Sequence, residues 1–273
     1  MPPTWLRYAQ DAVRRSPEGP EYLRGVFPYV LPPLVELERE PVPLDPADEI
    51  WITDTTFRDG QQSRAPYGVE QIVALFSLLH RLGGPRGMVR QSEFFLHTKK
   101  DREAVERCQE PGYRYPEITG WIRATLGDYA LVRAAGLRET GILCSISDYH
   151  IFKKLNSTRE ATIRDYLEVV DAALADGVVP RCHIEDATRA DFFGVVLPFV
   201  QALMERSRES GIQVKVRYPD TLGVGVSGPY AALPRGIPRL TRALRREAGV
   251  PAEALEFHGQ NDLAAIVPNA VAA

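Results

Sequence analysis

The chain has 273 residues, of which 44% are hydrophobic and 25% charged, and its formal net charge is −3 at pH 7. This length can bury a large core and falls within the usual range of a single α/β barrel. The nearly balanced charge argues against a nucleic-acid-binding surface, and no apolar run approaches membrane-spanning length. The three cysteines lack metal-type spacing, which favours reduced thiols and a cytoplasmic location.

The first part of the chain is rich in proline, and we expect residues 1–47 to form an N-terminal arm packed outside a catalytic barrel domain of residues 48–273. From Ile50 onward, short apolar segments alternate with segments that have a helical repeat of apolar residues. The candidate strands centre near Ile52, Val89, Ile118, Ile142, Val179, Val214 and Leu255.

Seven strand-helix units in regular succession predict a parallel sheet, and their number favours an eight-stranded barrel over an open sheet. The repeat would place the eighth strand just beyond Ala273. The sequence therefore predicts a TIM (β/α)8-type barrel truncated before its eighth strand, or a barrel whose gap is closed by other means.

The first predicted strand ends in an unusually dense set of polar side chains between Asp54 and Gln62, with Arg58 and Asp59 adjacent. In α/β barrels the catalytic groups gather at the carboxyl ends of the strands. Asp59 is a carboxylate that could bind a divalent metal, and Arg58 could face developing negative charge. An isolated Arg-Asp dipeptide would more often be a simple ion pair.

Polar clusters also lie in the later strands or at their ends. They are Arg90–Phe95, Gly120–Arg123, Ser145–His150, Arg181–Arg189, Tyr218–Gly223 and Glu256–Asp262. Because alternate residues of a strand face the same side, His183 and Glu185 share a face, whereas Cys182 points to the other. Recurrence in six successive units indicates one site at the mouth of the barrel, where the carboxyl ends of the strands gather.

These motifs resemble one enzyme family. Asp-Thr-Thr-Phe-Arg-Asp-Gly-Gln-Gln at residues 54–62 is similar to the first-strand signature of the metal-dependent barrels that condense or cleave acyl-CoA, such as isopropylmalate, homocitrate, citramalate and Re-face citrate synthases and hydroxymethylglutaryl-CoA lyase. The segments Ser147–Leu155, Glu185–Arg189 and Pro219–Gly223 look like the condensing members, and the Re-face citrate synthase branch is closest in appearance. The resemblance covers residues 50–273.

The resemblance implies that Asp59 binds the metal and that Arg58 stabilises the enolate or alkoxide. One departure concerns the other ligands: the family usually carries His-x-His after the seventh strand, whereas this chain has His258, Gly259 and Gln260. An amide oxygen is compatible with Mg²⁺ or Mn²⁺ but is a weaker ligand for transition metals. The expected metal ligands are therefore Asp59, His258 and Gln260.

The resemblance further implies acetyl-CoA and a 2-oxo acid as substrates, with a homodimer in the full-length protein. Arg58, Glu185 and Thr221 are the candidate catalytic residues. The candidate substrate-binding residues are Gln62, Glu93, Arg123, His150 and His183. Oxaloacetate is the favoured oxo acid because Arg90, His97, Arg123 and His183 offer donors for a second carboxylate.

Other functions stay open at this point. The chain could be a homocitrate or isopropylmalate synthase, or a lyase that cleaves a hydroxyacyl-CoA. The third alternative is a non-catalytic truncated barrel, which is motivated by the missing eighth strand and by Gln260. The motif at Ser147–Leu155 favours a synthase.

Overall fold

The computed structural model describes residues 34–37, 40–43 and 49–273. Contacts divide the chain into two compact units, Met1–Pro46 and Ala47–Ala273. In the first unit, β1 (Leu34–Leu37) and β2 (Glu40–Pro43) pair as an antiparallel hairpin. The rest of the predicted proline-rich arm, residues 1–47, lies outside the described residues.

The second unit contains a parallel sheet in which seven strands pair in chain order. The strands are β3 (Ile52–Asp54), β4 (Val89–Phe95), β5 (Glu117–Arg123), β6 (Glu139–Ser145), β7 (Val179–Glu185), β8 (Lys215–Asp220) and β9 (Leu255–Gly259). Sequential parallel order is the arrangement of a TIM-type barrel. The predicted fold and all seven predicted strands are thereby confirmed, and the described residues contain no eighth strand of this sheet.

Helices follow the strands in alternation. They are α1 (Val69–Gly83), α2 (Lys99–Gln109), α3 (Leu126–Ala134), α4 (Arg159–Ala175), α5 (Leu197–Ser210), α6 (Ile237–Arg246) and α7 (Ile266–Ala272). Thr98, Thr125 and Thr158 each accept a hydrogen bond from the backbone N–H three residues later, which fixes where α2, α3 and α4 begin. No helix in the described ranges combines the length and the hydropathy needed to cross a bilayer.

The two faces of the sheet differ sharply in chemistry. In β7, Cys182 and Ile184 are buried in the apolar core, whereas Arg181 and His183, which alternate with them, contact polar side chains. The buried inward-facing set continues on neighbouring strands as Gln91, Glu93, Thr119 and Arg217. The interior of the barrel is therefore filled by paired charges instead of the branched apolar side chains that are usual in this fold.

The strand limits change the interpretation of one predicted site residue. Arg90 is the second residue of β4, and its guanidinium lies between the rings of Trp51 and Tyr115, 4.3 and 4.2 Å from their centroids. Trp51 precedes β3 and Tyr115 precedes β5, so Arg90 lies at the amino ends of the strands, opposite the mouth. Arg90 is therefore not placed to offer a donor to a second substrate carboxylate at the mouth.

An open seam separates the two ends of the sheet, since no described strand joins β9 to β3. The ends nevertheless approach each other, because Gln260 Nε2 lies 3.3 Å from Asp59 Oδ2 across 201 residues of sequence. A cavity of about 820 Å³ opens along the seam and is lined by β3, Gln62, Leu79, Leu82 and Gln260. The sheet is thus curled like a barrel, with one side open.

Candidate active site

The site begins where β3 ends. Asp54, the last residue of β3, accepts hydrogen bonds from Thr56 Oγ1 at 2.6 Å and from Ser92 Oγ at 2.7 Å. These bonds tie the turn after β3 to the neighbouring strand β4. A single 3₁₀ turn, Asp59–Gln61, begins five residues after the end of β3, with Arg58 buried and Asp59 partly exposed. The local sequence thus holds the Arg58–Asp59 pair at the mouth.

Three predicted metal ligands come together at the seam. His258 Nε2 lies 3.5 Å from Asp59 Oδ2, and Gln260 Nε2 lies 3.1 Å from His258 Nε2. His258 and Gln260 share a face because they are two residues apart. The neighbouring His258, and then Arg58, hold the pKa of Asp59 at about 2 against the effect of burial, so this carboxylate is ionised near neutral pH.

The donor set fits a hard divalent cation. It offers a carboxylate oxygen, an imidazole nitrogen and, once the Gln260 amide turns over, an amide oxygen, and it borders an open cavity with room for further oxygen ligands. Across the described residues, no three His, Cys, Asp or Glu side chains converge as a metal-binding group. Gln260, which lies beside both Asp59 and His258, is therefore the side chain that would supply a third ligand.

Arg58 is fixed by three neighbours. Its Nη1 donates to Asp59 Oδ1 at 2.7 Å, its Nε lies 3.5 Å from Glu93 Oε2, and its guanidinium carbon lies 4.5 Å from the centroid of the Trp121 ring. Burial lowers the pKa of Arg58, while Glu93 and Asp59 oppose that shift. An arginine side chain keeps its charge in such surroundings. Arg58 is therefore a pre-oriented cation at the mouth.

Glu93 is the centre of the buried charges beneath Arg58. Its Oε1 accepts from Arg181 Nη2 at 2.8 Å and lies 2.8 Å from Arg217 Nη1 and 3.4 Å from His183 Nε2. Burial disfavours the Glu93 carboxylate, but Arg217 and Arg181 outweigh that effect and lower its pKa well below the usual range. Glu93 supports Arg58 from below and is completely buried.

His183 belongs to this buried layer. Burial, together with Arg217, lowers its pKa to about 3, so the imidazole is neutral at physiological pH. Its Nδ1 accepts a hydrogen bond from Trp121 Nε1 at 3.0 Å. The predicted separation of faces in β7 is confirmed, since Cys182 lies in the apolar core. The structure gives His183 no hydrogen bond or ion pair with Glu185, whose polar contacts are to other residues.

A second polar group lies where β6 and β7 end. Glu185 Oε2 accepts hydrogen bonds from Ser145 Oγ and, at 3.3 Å, from Lys154 Nζ. It also lies 3.1 Å from His150 Nδ1. A short helical segment, Tyr149–Lys154, brings His150 and Lys154 over the strand ends. The structure thus brings together two predicted site residues, Glu185 and His150, and adds Lys154.

Thr221 shapes the loop beside this group. Its Oγ1 accepts a hydrogen bond from the backbone N–H of Asp186 at 2.8 Å, and Asp186 has a left-handed backbone with φ of 69°. The Asp186 carboxylate in turn accepts from Ser147 Oγ at 2.6 Å and pairs with Arg189. Thr221 therefore holds a strained residue at the end of β7 in place.

Two predicted substrate-binding residues lie apart from these groups. Arg123 forms two hydrogen bonds of 2.8 Å to Asp128 at the start of α3, and its side chain is 66% exposed. Gln62 is exposed and lines the seam cavity. The neighbouring Gln61 is buried instead, where it donates to the Phe57 carbonyl at 2.6 Å and orders the turn.

Sequence reasoning missed the buried partners of the site. It gave no role to Arg181, Arg217 and Trp121, although all three contact Glu93, His183 or Arg58. The available signal was the strand period, because charged residues at alternate positions in β7 and β8 face the barrel interior instead of solvent. Ion pairs between distant strands have no signature in the local sequence.

Comparison with known proteins shows close relatives. The chain is 51% identical over 259 residues to the citrate (Re)-synthase of Syntrophus aciditrophicus (strain SB), with 95% of this chain and 41% of that protein covered. It is 49% identical over 250 residues to the citrate (Re)-synthase of Clostridium kluyveri, with 92% of this chain and 55% of that protein covered. The chain thus spans about half the length of these curated relatives.

The fold has solved counterparts. A crystal structure of hydroxymethylglutaryl-CoA lyase from Pseudomonas aeruginosa superposes with a TM-score of 0.62 at 19% identity, covering 82% of this chain and 72% of that one. At that identity the likeness concerns the fold alone. A family model described as HMGL-like matches residues 49–273, which are all the described residues of the barrel unit. The chain therefore belongs to the HMGL-like family.

Proposed function

We propose that the protein adds the acetyl group of acetyl-CoA to a 2-oxo acid, foremost oxaloacetate, and that water then hydrolyses the resulting CoA thioester to release citrate and CoA. The observation that carries the proposal is the convergence of Arg58, Asp59 and His258 at the mouth from the two ends of the sheet. The two relatives that are about 50% identical to this chain are both named citrate (Re)-synthase, which supports this reaction for the present protein.

Asp59, His258 and Gln260 would hold a divalent metal, with Mg²⁺ or Mn²⁺ as the ions suited to this donor set. When bound there, the ion supplies Lewis-acid polarisation of a carbonyl oxygen and a point for chelation. Asp59 contributes the negative charge of the site, and its low pKa keeps that charge available across the neutral range.

Arg58 has the clearest chemical role in the proposal. Addition of an acetyl-CoA enolate to a keto carbon turns the neutral carbonyl oxygen into an alkoxide, and a cation fixed beside that oxygen stabilises the transition state more than the ground state. Because Asp59, Glu93 and Trp121 hold the guanidinium on three sides, little reorganisation is needed when the charge develops.

Glu185 and His150 would orient the oxo acid. Both are partly exposed at the mouth, with side-chain exposures of 20% and 19%, so a substrate can reach them. Lys154 beside them adds a positive charge that suits a carboxylate. Thr221 contributes by fixing the loop at Asp186. Oxaloacetate is preferred on the strength of the two relatives, since Arg123 and His97 both face Asp128 and Arg90 lies at the far end of the barrel.

The test measures free CoA released from acetyl-CoA in the presence of Mn²⁺ and one oxo acid at a time: oxaloacetate, 2-oxoglutarate or 2-oxoisovalerate. We expect release with oxaloacetate and its loss in Asp59→Asn. The control is Asp165→Asn, which alters an exposed Asp that also follows and pairs with an arginine, Arg164. Release with 2-oxoglutarate or 2-oxoisovalerate alone would indicate homocitrate or isopropylmalate synthesis. Cleavage of a hydroxyacyl-CoA without condensation would indicate a lyase. No turnover with any of these substrates would favour the remaining alternative, a non-catalytic barrel.

The partner and compartment are further parts of the proposal. We infer a homodimer from the family resemblance, and light scattering of the purified protein measures the mass that decides it. A reducing cytoplasm agrees with the cysteines, since Cys108, Cys144 and Cys182 are all free and buried.

A further inference from the structure

Trp121 contacts both the cation of the site and the buried layer beneath it. It is the fifth residue of β5, is 9% exposed, and belongs neither to the proposed metal ligands nor to the proposed substrate contacts. The face of its indole lies 4.5 Å from the guanidinium carbon of Arg58, which is a cation–π contact shielded from water. Its ring nitrogen points the other way, toward β7.

The indole orientation is set by His183. Trp121 Nε1 can only donate a hydrogen bond, and at 3.0 Å it donates to His183 Nδ1. The neutral imidazole must then carry its proton on Nε2, which lies 3.4 Å from Glu93 Oε1. Since Glu93 Oε2 lies 3.5 Å from Arg58 Nε, the four side chains form a closed ring of contacts.

Gly141 makes this ring possible. It lies opposite Trp121 in the pairing of β5 with β6, and the indole and the imidazole meet across β6 at this point. A Cβ atom at position 141 would lie 2.8 Å from His183 Nε2 and 3.0 Å from Trp121 Cδ1. The missing side chain therefore leaves the space in which the two rings meet.

We propose that Trp121 is a positioning residue for Arg58: it confines the guanidinium between its indole face and Glu93, and its own tilt is fixed by the hydrogen bond to His183. The effect is to aim Arg58 at the mouth beside Asp59. This role deepens the proposed condensation and rests on it for its effect on turnover, but not for its effect on the Arg58 side chain.

The first measurement is independent of activity. In ¹⁵N-labelled protein, the Arg58 Nε–H signal, assigned by its loss in Arg58→Ala, is expected to be displaced by the indole ring current and protected from exchange. Trp121→Phe should retain part of both effects, whereas Trp121→Leu should remove them. The matched control is Trp51→Leu, which removes another indole that stacks on an arginine, Arg90, at the opposite end of the barrel. An Arg58 signal unchanged in Trp121→Leu would overturn the proposal.

The second measurement is a double-mutant cycle on CoA release. Trp121→Leu should lower kcat about tenfold with little change in KM, the order expected when a desolvated cation–π contact is lost. In the Arg58→Ala background the same change should cost less than about twofold, since nothing remains to be positioned. Equal losses in both backgrounds would refute positioning through Arg58. If the unaltered protein releases no CoA with any oxo acid, the proposed function fails and the Arg58 signal alone decides the role of Trp121.

Discussion

Glu93→Gln tests whether the buried charges of the barrel depend on a single carboxylate. Glu93 is completely buried, and the guanidiniums of Arg58, Arg181 and Arg217 lie within 3.5 Å of it, with side-chain exposures of 9%, 1% and 1%. Glutamine keeps the volume of the side chain but removes the negative charge, so the change creates no cavity. Removing one partner of a buried ion pair typically costs about 3–5 kcal/mol, because the remaining charge stays buried without compensation.

The free energy of unfolding is measured by urea titration at pH 7 with circular dichroism as the signal. In a domain of this size, a loss of 3–5 kcal/mol corresponds to a fall in Tm of roughly 6–20 °C. The control is Glu70→Gln, which removes the carboxylate of an exposed pair with Arg107 and should leave the unfolding midpoint close to that of the unaltered protein. Arg58 also pairs with Asp59, Arg181 with Glu139 and Glu256, and Arg217 with Glu256. A loss below about 1 kcal/mol in Glu93→Gln would show that these other carboxylates suffice to neutralise the three arginines.

Three further outcomes are expected. Asp59→Ala should abolish Mn²⁺ binding in calorimetry and Gln260→His should tighten it, because imidazole is the better ligand for Mn²⁺; unchanged affinity in Asp59→Ala would contradict the ligand assignment. Arg58→Lys should lower kcat more than about fivefold, whereas the exposed Arg164→Lys should not, and a smaller drop would make Arg58 structural. The pKa of His183 is about 3 in the folded protein and about 6.5 in the unfolded chain, so between these pH values only the unfolded chain takes up the proton. The stability that the neutral His183 contributes is therefore complete above a pH of about 6.5, and it falls by up to roughly 1.4 kcal/mol for each pH unit below that. Urea titrations should therefore show a smaller loss of stability between pH 7 and 5 in His183→Gln, and an equal loss would refute the neutral buried imidazole.

The sequence alone determined the architecture and the place of the site. Alternation of short apolar strands with helical repeats is a local property, so it predicted seven parallel strands in chain order. The convergence of Asp59 with His258 was also predictable, since residues at the carboxyl ends of the first and last strands of a curled sheet meet at one mouth. The period of two likewise separated Cys182 from His183.

Only the tertiary structure decided which end of a strand each polar residue occupies and what it touches. Arg90 was expected to serve a substrate carboxylate, but β4 begins one residue earlier and carries it to the opposite end of the barrel. Gln61 and Gln62 are adjacent and chemically identical, yet the turn buries the first and exposes the second. An error of a few residues in the predicted start of a strand is enough to place a side chain at the wrong end of the barrel.

The contacts of Arg58 were equally beyond the reach of the sequence. Glu93, Trp121 and His183 come from three different strands, and their separations depend on how tightly the sheet curls and on the register between its strands. Local periodicity fixes which face a side chain occupies, but distances across the barrel follow from the packing of all the strands together. The sequence therefore determined which residue types lie at the strand ends, whereas the distances between them follow from the curl and register of the whole sheet.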